Sequence, residues 1–224
     1  MPPDLDPHLA ALLNDLQELL SALHRDKRRQ FDRRVSIGDL ITDRWANAAQ
    51  CGFGEGTSCY DNVLILGNVK VGRHSWIGPG VVLDGQGGLA IGDHCAISAG
   101  VQIYTHNSVK RATSMGLAGL ELAPTRIGSG VYIGPNSIIE MGVTIGDGAV
   151  IGAMSLVKND IPVGGRAWGC PARLQADMPL DDLPGAAGGS RSAADLVDVR
   201  QQIGGVLIDA IGTRALQLVE PIAA

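Results

Sequence analysis

Aromatic residues are scarce in this chain, at 4% of 224 residues, although 45% of it is hydrophobic. Ring stacking therefore cannot dominate the core, and Val, Ile, Leu and Ala must fill it. Basic residues are not in surplus: 18 Lys and Arg against 23 Asp and Glu leave a formal net charge of -5. That balance removes the electrostatic footprint of a nucleic-acid-binding protein. The four cysteines, Cys51, Cys59, Cys95 and Cys170, form no CxxC pair, which argues against a zinc ribbon. No apolar run approaches the ~20 residues needed to cross a bilayer. The acidic start MPPDLDPHLA lacks the basic-then-apolar layout of a signal peptide. Together these absences lead us to expect a reduced, cytoplasmic protein with no nucleic-acid partner and no membrane span.

What the chain has in abundance is glycine, 31 residues of it, arranged in register. From Val63 the sequence reads VLILGN VKVGRH SWIGPG VVLDGQGG LAIGDH CAISAG VQIYTH, and after a break TRIGSG VYIGPN SIIEMG VTIGDG AVIGAM SLVKND IPVGGR. The third residue of each hexad is aliphatic, from Ile65, Val71 and Ile77 through to Val157 and Val163. Two places earlier stands a small or β-branched residue such as Val69, Ser75, Cys95, Val131 or Ala149. Residues two apart share one face of a strand, so both positions are expected to point inward. A single hexad cannot bury its apolar face alone; it needs stacked neighbours, which predicts a solenoid.

Read by column, the fourth position is glycine in most hexads, and every third hexad departs from it with Leu66, Asp84, Tyr104, Glu140 or Lys158. One corner of the stack is thus rich in side chains while the others stay bare. Both interruptions of the repeat leave from that corner: the extra pair in VVLDGQGG and the stretch 107–124 after His106. Loops gathered on one face of a repeat protein mark its functional side. Histidine is the side chain best suited to moving a proton near neutral pH, so His106 is the expected catalytic residue. Asp84, Tyr104, Asn107 and Glu140 are the expected acceptor contacts. Asp84 or Glu140 is the carboxylate available to orient the His106 ring.

The hexads resemble the hexapeptide-repeat family, and the stretch from GVQIYTHN to GCPARL is similar to its maltose and galactoside acetyltransferase branch and to O-acetyltransferases of polysaccharide clusters. The resemblance covers about residues 60–174. It implies a mainly β fold, a left-handed parallel β-helix with three hexads per coil and flanking α-helices at both ends. Four to five coils are expected over about 62–166. It also implies acetyl-CoA as acyl donor, His106 as general base, direct transfer without an acyl-enzyme, and a homotrimer with its site between adjacent solenoids. No metal is required. Within GVYIGP, Tyr132 takes the place of the family's aromatic and Gly134 follows it. VIGAMSLVKNDIP places Ala153 along the pantetheine arm, with Lys158 and, in GCPAR, Arg173 as the basic contacts to coenzyme A. Two departures stand out. The family's Thr-Lys is Lys158-Asn159 here, and the acid that relatives carry soon after the histidine is replaced by Asn107 and Ser108. A rival metal site of His74, His94 and His106 lacks the close ligand pair of the γ-class carbonic anhydrases, which share the solenoid.

The ends are expected to be helical. Leucines from Leu9 to Leu23 recur at helical spacing, predicting a helix over about 6–28. Ser36 followed by Asp39 suggests a second helix through about Ala49. The domain reading is a helical cap over 1–50, the β-helix over 51–175 with its inserted loop 107–124, and a linker with an amphipathic helix over 176–224. The acceptor is expected to be a sugar or another small hydroxyl compound. Alternatives at this stage are N-acetylation of a nucleotide-linked amino sugar, O-acetylation of an antibiotic, and a non-catalytic solenoid that binds a partner.

Overall fold

The computed structural model describes residues 6–175; the expected linker and C-terminal helix of 176–224 lie outside the described residues. Helix α1 spans Pro7–Phe31. It starts at Asp6, whose carboxylate accepts from the His8 N–H, and it ends at Asp32 in the left-handed conformation. The expected second helix is two short ones, α2 (Ile37–Ile41) and α3 (Arg44–Gln50). The break lies at Thr42, which is extended, and at Asp43, whose side chain accepts from the N–H groups of Trp45 and Ala46 and so begins a new helix. Ser36 does not cap α2 as its pattern suggested; its hydroxyl donates instead to Asp61.

The rest is a parallel β-solenoid with three faces. The first face stacks Ser58–Cys59, Trp76–Ile77, Ala96–Ile97, Tyr132–Ile133, Val150–Ile151 and Arg166–Trp168 in parallel register. Arg173–Leu174 then folds back antiparallel on the last of them. The solenoid therefore begins ahead of Val63, where the first hexad legible in the sequence starts, because Ser58 already pairs with Trp76. On the second face the column is Ile65, Leu83, Ile103, Ile139 and Val157; on the third it is Val71, Ile91, Ile127 and Ile145. Strands Leu64–Val71 and Val82–Ile91 run continuously round the corner between the second and third faces.

Each coil contributes one aliphatic side chain per face to a common axis. Ile77, Ile97, Ile133, Leu83, Ile103 and Ile139 are all 0% exposed, and each such burial is worth about 1.5–3 kcal/mol. Small residues two places earlier in the hexad let the coils close up: Ser75, Cys95, Ser137, Ala149 and Ser155 are buried. The serines keep their hydroxyls satisfied by donating to carbonyls of the solenoid, Ser75 to Gly92 and Ser137 to Gly152.

The last coil corrects one sequence-based expectation. Val163 was placed inward by its hexad, yet it is 76% exposed, and Ile161 occupies the core instead at 5%. Ile161 bridges Ile145 and Ala167 pairs with Ile151, so this coil is two residues shorter than the 18 that separate Ile133 from Ile151. The shortening draws Ile161 into the column and pushes Val163 out.

Candidate active site

The chain turns from the second face to the third through Asp84-Gly85-Gln86-Gly87-Gly88, and one coil on through Tyr104-Thr105-His106. His106 lies on the short strand His106–Asn107, which pairs antiparallel with Glu121–Leu122. It therefore stands at the neck of the inserted loop, held by a strand pair rather than carried on a free segment. Inside the loop, helix α4 covers Val109–Thr113; Asn107 accepts from the Val109 N–H, and Lys110 and Glu121 form an ion pair at 2.6 Å.

Asp84 is fully buried. Its Oδ2 lies 2.6 Å from His106 Nδ1 and accepts the Thr105 N–H at 2.8 Å, while Oδ1 accepts the Gln86 N–H at 3.1 Å. The Thr105 hydroxyl, also buried, reaches both the Asp84 carbonyl and Oδ2. Burial alone would raise the Asp84 pKa, but the donors from Thr105, His106 and Gln86 outweigh it and hold the carboxyl below its ordinary range. An ionised Asp84 accepts at Nδ1, which fixes the ring proton there and leaves Nε2 as a free acceptor. The His106 side chain is 22% accessible, so it opens toward solvent. Tyr104 stands edge-on to the ring, centroids 6.0 Å apart, and donates its hydroxyl to Gln102.

Close backbone packing sets this geometry. Gly87 donates its N–H to the Thr105 hydroxyl at 2.8 Å, and a Cβ at Gly87 would collide with the Thr105 carbonyl. The two-residue expansion DGQGG is thus a wedge that carries Asp84 beneath the histidine. Thr105, Gln86 and Gly87 were not singled out from sequence. A buried-side threonine directly before the histidine, together with three glycines in one short interruption, was the available signal.

The remaining expected residues fall into separate places. Glu140 and Lys158 occupy the same corner in later coils and pair with each other at 3.3 Å; Glu140 does not reach the His106 ring. Tyr132 is on the outside of the first face. Gly134 and Ala153 lie at the opposite edge of the second face, where a Cβ on Gly134 would meet the Ala153 backbone. Arg173 is on the terminal antiparallel strand and exposed. His74 and His94 stack on each other at 5.0 Å, each in a left-handed turn, away from His106. Among the described residues no group of three or more His, Cys, Asp or Glu is placed to hold a metal ion, and no helix is long and apolar enough to cross a membrane.

The profile of the bacterial transferase hexapeptide (six repeats) matches residues 124–159, and that of the hexapeptide repeat of succinyl-transferase matches 68–105. Both stretches of the chain thus resemble hexapeptide repeats of transferases. Its relatives include Nodulation protein L of Rhizobium meliloti (strain 1021), 44% identical over 109 residues, which are 48% of this chain and 59% of that protein. A probable serine acetyltransferase 1 of Oryza sativa subsp. japonica is 40% identical over 111 residues, 49% of this chain and 35% of the relative. The chain thus covers less than two thirds of the length of these relatives. Among solved structures, a hexapeptide-repeat-containing acetyltransferase from Vibrio cholerae O1 biovar eltor, complexed with acetyl coenzyme A, matches with a TM-score of 0.54 and 26% identity over 72% of this chain and 88% of that one. The fold of the chain is the left-handed parallel β-helix, mainly β, with helices ahead of the solenoid.

Proposed function

We propose that this protein is an acetyl-CoA-dependent O-acetyltransferase of the hexapeptide-repeat kind, acting on a sugar or similar small hydroxyl compound, with His106 as general base. The observation that carries the reading is the 2.6 Å contact between buried Asp84 and His106 Nδ1. An imidazole whose Nδ1 proton is held leaves Nε2 to take the proton of a bound hydroxyl. The donor supplies an activated acetyl thioester. The freed oxygen bonds to the acetyl carbon as the carbon–sulfur bond breaks, and His106 returns its proton to the departing thiolate. Asp84 stabilises the imidazolium between those two transfers without taking the proton itself. No side chain carries the acetyl group in this scheme.

Donor binding is assigned to Tyr132, Gly134, Ala153, Lys158 and Arg173. Their distribution supports a site shared between copies. Gly134 and Ala153 stand where the second face begins and His106 just past its end, so one solenoid keeps them on opposite edges of that face. The outer side of that face carries Leu64, Val82, Ile138 and Leu156, all at least partly exposed. A homotrimer packed through such faces sets the early edge of one solenoid against the His106 corner of the next, and the loop 107–124 then walls the acceptor. The proposal also places the protein in the cytoplasm, where acetyl-CoA is available.

The test is thiol release from acetyl-CoA over a panel of sugars and amino sugars. The reading expects release that depends on a hydroxyl acceptor and is lost in His106→Ala. Release with amino acceptors alone would replace O- by N-acetylation, and undiminished release in His106→Ala would remove the histidine from the chemistry.

A further inference from the structure

Thr105 comes immediately before His106, is 0% exposed, and holds Asp84 twice. Its N–H donates to Oδ2 at 2.8 Å. Its hydroxyl lies 2.9 Å from the Asp84 carbonyl and 3.1 Å from Oδ2. The same hydroxyl accepts the Gly87 N–H at 2.8 Å. A hydroxyl has one proton to give. That proton therefore has two alternative destinations, both on Asp84, and a rotation about the Cβ–Oγ1 bond separates them.

The two destinations differ in what they do to the ring. Oδ2 is also the atom 2.6 Å from His106 Nδ1. While the ring is neutral, the buried carboxylate keeps its full charge, and a further donor on Oδ2 stabilises it. Once the ring is an imidazolium, its charge meets that of the carboxylate, and the carbonyl, the shorter contact, becomes the better acceptor. A donor that bonds Oδ2 more strongly beside the neutral ring favours that state. It thereby favours release of the proton taken up at Nε2.

We propose that Thr105 is a positioning residue whose hydroxyl proton moves between Oδ2 and the Asp84 carbonyl as His106 loses and gains its proton, and so sets how firmly Asp84 grips the ring. Its part in turnover rests on the acyl-transfer reading, in which the ring must return a proton to the thiolate. The grip itself does not.

The test compares Thr105→Val, which keeps the shape without the hydroxyl, with Thr105→Ser, which keeps the hydroxyl. In the full chain without ligand, the Nδ1 proton of His106 is followed by proton NMR and assigned by its absence in His106→Ala. It moves downfield in Thr105→Val, because Oδ2 has one donor fewer, and stays near its wild-type position in Thr105→Ser. In thiol release from acetyl-CoA, kcat falls about ten-fold in Thr105→Val, the worth of one hydrogen bond to a charged group. KM for acetyl-CoA holds, and Thr105→Ser restores most of the rate. In the Asp84→Asn background Thr105→Val has no further effect. Thr105→Ala serves in place of Thr105→Val if the valine variant loses the β-sheet circular dichroism of wild type. A resonance unmoved in the hydroxyl-free variant overturns the proposal, as does a kcat loss that persists undiminished in Asp84→Asn. A shifted resonance in a protein that transfers no acetyl group supports the grip on the ring and sinks the acyl-transfer reading alone.

Discussion

At the scale of residues, the account rests on Asp84 and His106. The sequence placed both at one corner and offered Asp84 or Glu140 as the orienting carboxylate. The choice between them needed the coil geometry. Asp84 approaches the ring because its own turn is expanded by two residues, while Glu140 is occupied by Lys158. Asp84→Asn keeps the shape of the pocket but presents an amide where the Nδ1 proton is held. Turnover should fall at least ten-fold with acetyl-CoA affinity unchanged, measured by steady-state thiol release. The same residue makes a stability prediction. Its carboxyl is held below the ordinary range in the fold, so the stabilisation is present above about pH 4 and is lost as pH falls through the lower folded value. Thermal melts between neutral and acid pH should therefore decline more steeply for wild type than for Asp84→Asn. Parallel curves would mean that Asp84 is not a stabilised carboxylate.

At the scale of elements, the hexads were legible because a period-two strand and a fixed turn leave the same mark in every coil. Ile97, Ile133 and Ile151 fall where their pattern puts them, at 0% exposure. The pattern failed where coil length changed, at Val163, since a two-residue shortening is invisible until Ile161 is seen to pair with Ile145. It failed also at Thr42 and Asp43, where a local cap outweighs a continuous helical period. Thr105 and Gly87 escaped notice because their roles are contacts between neighbouring coils, which a one-dimensional reading does not display. Gly87→Ala tests that wedge. The added methyl meets the Thr105 carbonyl, and the strain should cost about 1–3 kcal/mol in chemical denaturation. Turnover should fall along with it, because Thr105 carries His106. A variant as stable and active as wild type would show that the wedge does not position the base.

At the scale of the whole molecule, a solenoid cannot close on itself, and each of its surfaces must either face water or meet something. The helices α2 and α3 stand before the first coil, and the antiparallel strand Arg173–Leu174 turns back on the last. Among the described residues, the outer side of the second face carries apolar surface at Leu64, Val82, Ile138 and Leu156, and the proposed trimer covers it with a copy of the same chain. In that proposed assembly the donor lies between solenoids and one of them supplies the base. The central claim is that this protein binds acetyl-CoA and uses His106 afterwards. Calorimetric titration of acetyl-CoA into full-length wild type and His106→Ala tests it most directly. We predict saturable binding of similar affinity in both proteins, with acetyl transfer lost only in the variant. No heat of binding to wild type up to millimolar acetyl-CoA would contradict the account.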